Sequence, residues 1–258
     1  LGKMIDNIQA DTSIRTIKWS EGGEEKDSHR GVAMAAGFIM TMISYFFVLT
    51  YGGMVMQAVM EEKANRIVEL IVSSVKPFQL MLGKIAGILL VGLFQLLIWA
   101  LLLAVIVPIA DKLSGVNIAM MSANGSTAAV PDAGLSDAMI MWLSVMNLPY
   151  LEMGIMFLLL FIGGYLLYAS VFAAIGASIN EQQDSSQFMM PIMLLMAFSL
   201  YAAIYSVENT DGPLAFWASI FPLSSPIVMM VRIPFGVPLW QEILSVALLY
   251  LTALLGIW

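Results

Sequence analysis

Few side chains in this 258-residue sequence could carry out chemistry. There is one histidine, His29, and no cysteine. Catalytic and structural metal sites need several His, thiolate or carboxylate ligands held together, and the sequence offers no such set. A serine nucleophile needs a base beside it, and the residues around Ser178 (Gly-Ala-Ser-Ile-Asn) supply none. A phosphate-cradling loop needs a glycine-rich turn followed by Lys and a hydroxyl residue. Gly83-Lys84 has neither the earlier glycine nor the hydroxyl. The chain therefore reads as no enzyme in itself, with no metal and no cofactor of its own.

The one chemically distinctive stretch is charged. Glu61–Lys84 (EEKANRIVELIVSSVKPFQLMLGK) holds Lys63, Arg66, Lys76 and Lys84, four of the eleven Lys and Arg residues. Its setting is unusually apolar. The chain is 60% hydrophobic and 11% charged, with mean hydropathy +0.89. Soluble domains carry about 25% charged residues, so the composition defines an integral membrane protein. A net charge of −7 excludes a nucleic-acid surface, which would be basic.

A spanning helix needs about 20 apolar residues to cross roughly 30 Å of hydrocarbon. Uncharged runs predict spans over about 31–59, 85–110, 153–180 and 186–207, and a fifth over about 240–258 that reads as cut short. A further uncharged run, Gly212–Val231, carries Pro222 and Pro226 near its middle. Each proline removes a backbone donor and clashes with the preceding turn. The expectation is a re-entrant hairpin of two short helices over 213–232, meeting at Phe221, Pro222, Ser224, Ser225 and Pro226. Broken backbone at membrane depth is tolerated where protein or water lines it.

The connections set the orientation. Loop 61–84 has four basic residues, 111–152 has only Lys112, 181–184 has none, and 208–242 has only Arg232. The positive-inside rule places 61–84 and 181–184 in the cytoplasm and the long loops outside. Residues 1–30 then lie outside, despite five basic residues and no preceding span. They read as the remnant of an extracytoplasmic domain in a chain lacking its first span, ahead of a permease-like domain over 31–258.

Between the first two spans, Met60, Ala64, Ile67, Ile71 and Val75 recur at helical spacing, opposite Glu62, Arg66, Glu69 and Ser73. Glu62 and Arg66 stand in the favourable i,i+4 order. Pro77 cannot continue the helix. This predicts an amphipathic helix over 60–76 on the cytoplasmic surface. It is either an anchor or a docking element for a cytoplasmic partner.

The segment EEKANRIVELIVSSVKPFQLMLGKIAG resembles the intracellular coupling segment of membrane subunits of ATP-binding-cassette exporters, in particular the NatB-like sodium-extrusion and multidrug permeases. That family's pattern is acidic residues, a short gap, Arg or Gly-Thr, then Glu, two apolar residues, Ser or Thr, and Pro at the next span. Glu61, Glu62, Arg66, Glu69, Leu70, Ser73, Ser74 and Pro77 match it. The later SIFPLSSPIVMMVRIPFG (Ser219–Gly236) is similar to the family's outer re-entrant segment.

The resemblance implies an all-helical six-span permease, five spans of which fall in this chain, working as a homo- or heterodimer in the bacterial inner membrane. It implies that Glu61, Glu62, Arg66, Glu69, Leu70, Ser73 and Pro77 couple to a separate subunit that binds ATP and Mg. In such permeases the turn at Glu181, Gln182 and Asp184 can form a second contact with that subunit. Sodium and small amphiphiles are the substrates that the family name suggests.

An ion-coupled carrier places ionisable groups at depth, and the first four runs contain none. Their polar residues read mostly as inter-helix hydrogen-bonders, with Gln95, Tyr165 and Tyr168 able to line a route. The alternatives are an ATP-independent carrier or channel, and a membrane assembly subunit.

Overall fold

A computed structural model describes residues 18–19, 25–26, 30–64, 77–114, 148–179 and 184–258. The described chain is helical apart from two short strands. β1 (Lys18–Trp19) and β2 (Glu25–Lys26) pair antiparallel, with Lys18 opposite Lys26.

The long helices are α1 (Arg30–Ala64), α2 (Pro77–Ser114), α3 (Tyr150–Ser178) and α4 (Ser185–Glu208). Two short helices follow, α5 (Pro213–Ile220) and α6 (Ser225–Arg232), then a 3-10 turn at Ile233–Phe235 and α7 (Leu239–Ile257). Among the described residues, five helices are long and apolar enough to cross a membrane: α1, α2, α3, α4 and α7.

Several helices outrun the uncharged runs. α1 carries on through Glu61, Glu62 and Lys63, and α2 starts at Pro77 and passes Lys84 and Asp111. A charge ends a hydropathy window but breaks no i→i−4 hydrogen bond, and long basic side chains reach past apolar surface to polar partners. Pro77 opens α2 as its first residue, where its missing N–H is no loss. The fifth span, expected as a truncated run, forms a 19-residue helix.

α3 is the centre of the bundle. Of its most apolar window 61% is buried, against 6% for α2, which lies at the periphery. Lipid is as apolar as leucine, so helices associate in a bilayer through close packing and hydrogen bonds rather than hydrophobic transfer. Small residues supply the close approach. A Cβ on Gly164 would stand 2.6 Å from Pro226 Cβ, and one on Gly176 would stand 2.8 Å from the Met56 carbonyl oxygen. α1 and α6 therefore sit almost directly on the backbone of α3.

Candidate functional site

Two polar assemblies interrupt this apolar bundle. The first is the α5–α6 hairpin. α5 ends at Phe221, whose N–H still bonds to the Trp217 carbonyl. The turn is closed by Ser224 and Ser225, whose backbone N–H groups donate to the Phe221 carbonyl at 3.1 and 2.8 Å. Ser224 Oγ donates back to the Ala218 carbonyl at 2.6 Å. Pro226 stands in the first turn of α6, where a proline costs no helical bond.

The turn is bonded to the middle of the long helices. Tyr168 of α3 donates to the Leu223 carbonyl. Ser44 and Thr41 of α1 donate to the Pro226 and Ile227 carbonyls at 3.3 and 3.2 Å. Gly164, against Pro226, is fourteen residues from either end of α3. At 1.5 Å per residue that is about 21 Å from each end, so the turn reaches the mid-level of the bundle. Phe221 is exposed and Pro222 half-buried, whereas Ser224, Ser225 and Pro226 are buried.

At the opposite end of the hairpin lies Arg232, only 1% exposed. Its Nε donates to the Thr210 carbonyl at 2.9 Å, one terminal nitrogen to Ser219 Oγ, and the other to Gln241 Oε1 at 3.0 Å. One guanidinium thus joins the α4–α5 turn, α5 and the first turn of α7. Ser245 of α7 continues the network, pairing with Ser225 Oγ at 2.8 Å and donating to the Ser219 carbonyl at 2.8 Å. Glu242, one turn earlier on α7, is 1% exposed, and its Oε1 has no hydrogen-bond partner. The sequence placed Arg232 and Glu242 in an outer loop. Their readable signal was position: an arginine ending an apolar helix, and Gln-Glu in the first turn of the next.

The second assembly is at the other end of the bundle, where α1 ends and α2 begins. Glu62 meets Lys84 of α2 at 2.6 Å; its expected partner Arg66 lies outside the described residues. Lys84 also donates to the Ala58 carbonyl at 3.0 Å. Lys63 reaches across to α3 and donates to the Ala177 and Ile179 carbonyls at 2.9 and 3.0 Å. These carbonyls close the C-terminus of α3, where helical partners run out and positive charge is favoured. Glu61 is exposed, Glu62 half-buried and Met60 buried. Ala64, expected on the buried face with Met60, is exposed.

The other coupling candidates, Arg66, Glu69, Leu70 and Ser73, lie outside the described residues, as do Glu181 and Gln182. Asp184 is exposed at the start of α4. Tyr165 and Tyr168 are each 1% exposed. The Tyr165 hydroxyl donates to the Ile85 carbonyl of α2 at 2.9 Å. Gln95 is half-buried on α2. Among the described residues no cluster of three or more His, Cys, Asp or Glu side chains could hold a metal ion.

Five apolar spans around a buried short-helix hairpin, with charge gathered at one connection, define a polytopic integral membrane protein. The family profile described as "ABC-2 family transporter protein" matches residues 11–258, and the chain belongs to that family. It is 26% identical over 249 residues to YhaP of Bacillus subtilis, covering 96% of this chain and 54% of that protein. It is 25% identical over 256 residues to MJ1024 of Methanocaldococcus jannaschii, covering 98% of this chain and 54% of that protein. Both relatives are described as uncharacterized. The chain spans about half the length of these curated relatives. No solved structure matches it.

Proposed function

We propose that the chain is the permease part of an ATP-driven exporter, energised by a separate ATP-binding subunit that docks on segment 60–76. The observation that carries this reading is the charged connection between two spans of an ABC-2 family chain, with both flanks firmly held. Flanks held in this way would pass a push on the connection to α1, α2 and α3. Glu61, Arg66, Glu69, Leu70 and Ser73 form the docking surface, Glu62 ties α1 to Lys84 of α2, and Pro77 opens α2. ATP and Mg sit on the partner subunit. Asp184, with Glu181 and Gln182, adds a second contact at the same end.

In this reading the charged end faces the cytoplasm of a bacterial inner membrane. The α5–α6 hairpin dips in from the outer side, and an earlier span completes a six-span fold. Two permease copies, identical or related, enclose the route. Gln95 is the route-lining candidate on a partly open surface, whereas the Tyr165 and Tyr168 hydroxyls hold helices together. Sodium and small amphiphiles are the substrates to assay first.

The test is retention of the ATP-binding subunit during affinity purification of the full-length protein from native membranes. Arg66→Glu with Glu69→Lys should abolish co-purification while leaving membrane insertion unchanged. Undiminished co-purification by that variant would overturn the assignment of the docking surface.

A further inference from the structure

At the charged face the end of α1 is tied to α3 and to α2, each time by a lysine onto backbone or opposite charge. α1 is joined to α3 by Lys63, whose ammonium takes both the Ala177 and Ile179 carbonyls. α1 is joined to α2 by Lys84, which takes the Ala58 carbonyl and the Glu62 carboxylate. Deeper in the bundle, beside mid-helix Gly164, Tyr165 of α3 donates to the Ile85 carbonyl of α2. Near the lysine ties Gly176 lets α1 and α3 approach, with Met56 and Val59 of α1 against it.

The ties are of a kind that resists sliding. Lys84 is 11% exposed and Glu62 26% exposed, so their charges are screened less than a surface pair. The carbonyls at the end of α3 have no further helical turn to accept from, so Lys63 satisfies groups that would otherwise need water. By contrast α4 starts after the connection at 180–183 and shares none of these bonds.

We infer that Lys63 and Lys84 are positioning residues that tie α3 and α2 to the end of α1, making the three one mechanical unit. Displacing the end of α1 therefore moves all three helices rather than α1 alone. This rests on the docking reading above, because the displacement is supplied by the nucleotide-driven partner. Lys63 carries the movement to α3. The Glu62–Lys84 pair carries it to α2.

The test uses the full-length protein with its ATP-binding subunit, in lipid nanodiscs and free of native cysteines. Single cysteines report separately from α1 (Gln57→Cys), α2 (Leu82→Cys) and α3 (Ser178→Cys), all at exposed positions. Their rates of reaction with a water-soluble maleimide are compared with and without Mg-ATP and vanadate. Nucleotide should change all three rates by at least about fivefold, the lower end of ordinary coupling between sites.

Lys63→Met should remove the response at position 178 and keep it at 57 and 82. Lys84→Met should remove the response at 82 and keep it at 57 and 178. Lys63→Arg, which keeps the donor, should restore the response at 178. A protein that is merely less stable would lose all three responses together, and that result overturns the proposal. So does an unchanged response in every variant. If no probe responds in the unmodified protein, the unit is not what nucleotide moves and the proposal falls. Retention of the ATP-binding subunit then tells whether the docking reading falls with it.

Discussion

Replacing Arg232 by methionine keeps the apolar stem and deletes the guanidinium. Arg232 is buried, and its nitrogens hold Thr210, Ser219 and Gln241, three points on three different segments. A hydrogen bond to a charged group contributes about 1.5–3 kcal/mol. The three do not add fully. Thr210 and Gln241 are half-buried and can turn to water, and Ser219 Oγ keeps its bond to the Phe216 carbonyl at 2.9 Å. The buried charge also loses its desolvation cost when it is removed. The net expected loss is about 3 kcal/mol, equivalent to roughly 6–12 °C in Tm for a chain of this size.

Arg232→Lys can satisfy one or two of the three acceptors and should fall about midway. The assay is thermal unfolding in lipid nanodiscs, followed by tryptophan fluorescence. Trp217 on α5 and Trp240 on α7 flank the network. Leu214→Ala, at an exposed position on α5, serves as the control. If Arg232→Met melts within about 2 °C of that control, the guanidinium is not the pin of the hairpin and the reasoning fails.

The paired glycines should behave unequally. A Cβ on Gly52 would run into the ring of fully buried Phe172, whereas a Cβ on Gly53 meets only Met189 Cε at 4.0 Å. Gly52→Ala should therefore lower stability by about 1–3 kcal/mol through overpacking. Gly53→Ala should be neutral or slightly stabilising, because alanine is the better helix former, and the same melting assay separates the two. Tyr168→Phe leaves the Leu223 carbonyl of the mid-bundle turn without its donor and should cost about 1–2 kcal/mol. Hydrogen exchange at residues 223–228 should rise in that variant and stay unchanged in α2.

The long helices were legible in the sequence because a bilayer imposes one strong requirement, about 20 apolar residues per crossing. The break in 213–232 was legible for an equally local reason, since Pro222 and Pro226 forbid one continuous helix. Helix ends were less legible. Lys84 and Asp111 end an uncharged run without ending α2, because the backbone ladder is indifferent to side-chain charge.

Partners across the bundle were not legible. Lys84 of α2 comes within 2.6 Å of Glu62, a partner on another helix that spacing along α1 could not reveal. The buried Arg232 and Glu242 looked like loop charges, because nothing local reveals that a short helix is enclosed on every side by others. The polar residues of the spans were expected to bond between helices, and Thr41 and Ser44 do so, with acceptors in the hairpin turn.

The central claim is that the charged connection transmits work from an ATP-binding subunit, and its most direct measurement is a cross-link. The chain has no cysteine of its own, so Ser73→Cys in the full-length protein gives a single reactive thiol in this region. Native membranes are treated with a short thiol-to-amine reagent and the adduct is identified by mass spectrometry. A covalent adduct with an ATP-binding subunit is expected, lost when Arg66 and Glu69 are reversed in charge. Adducts with lipid amines alone would rule out transmission through this segment and leave it a membrane anchor.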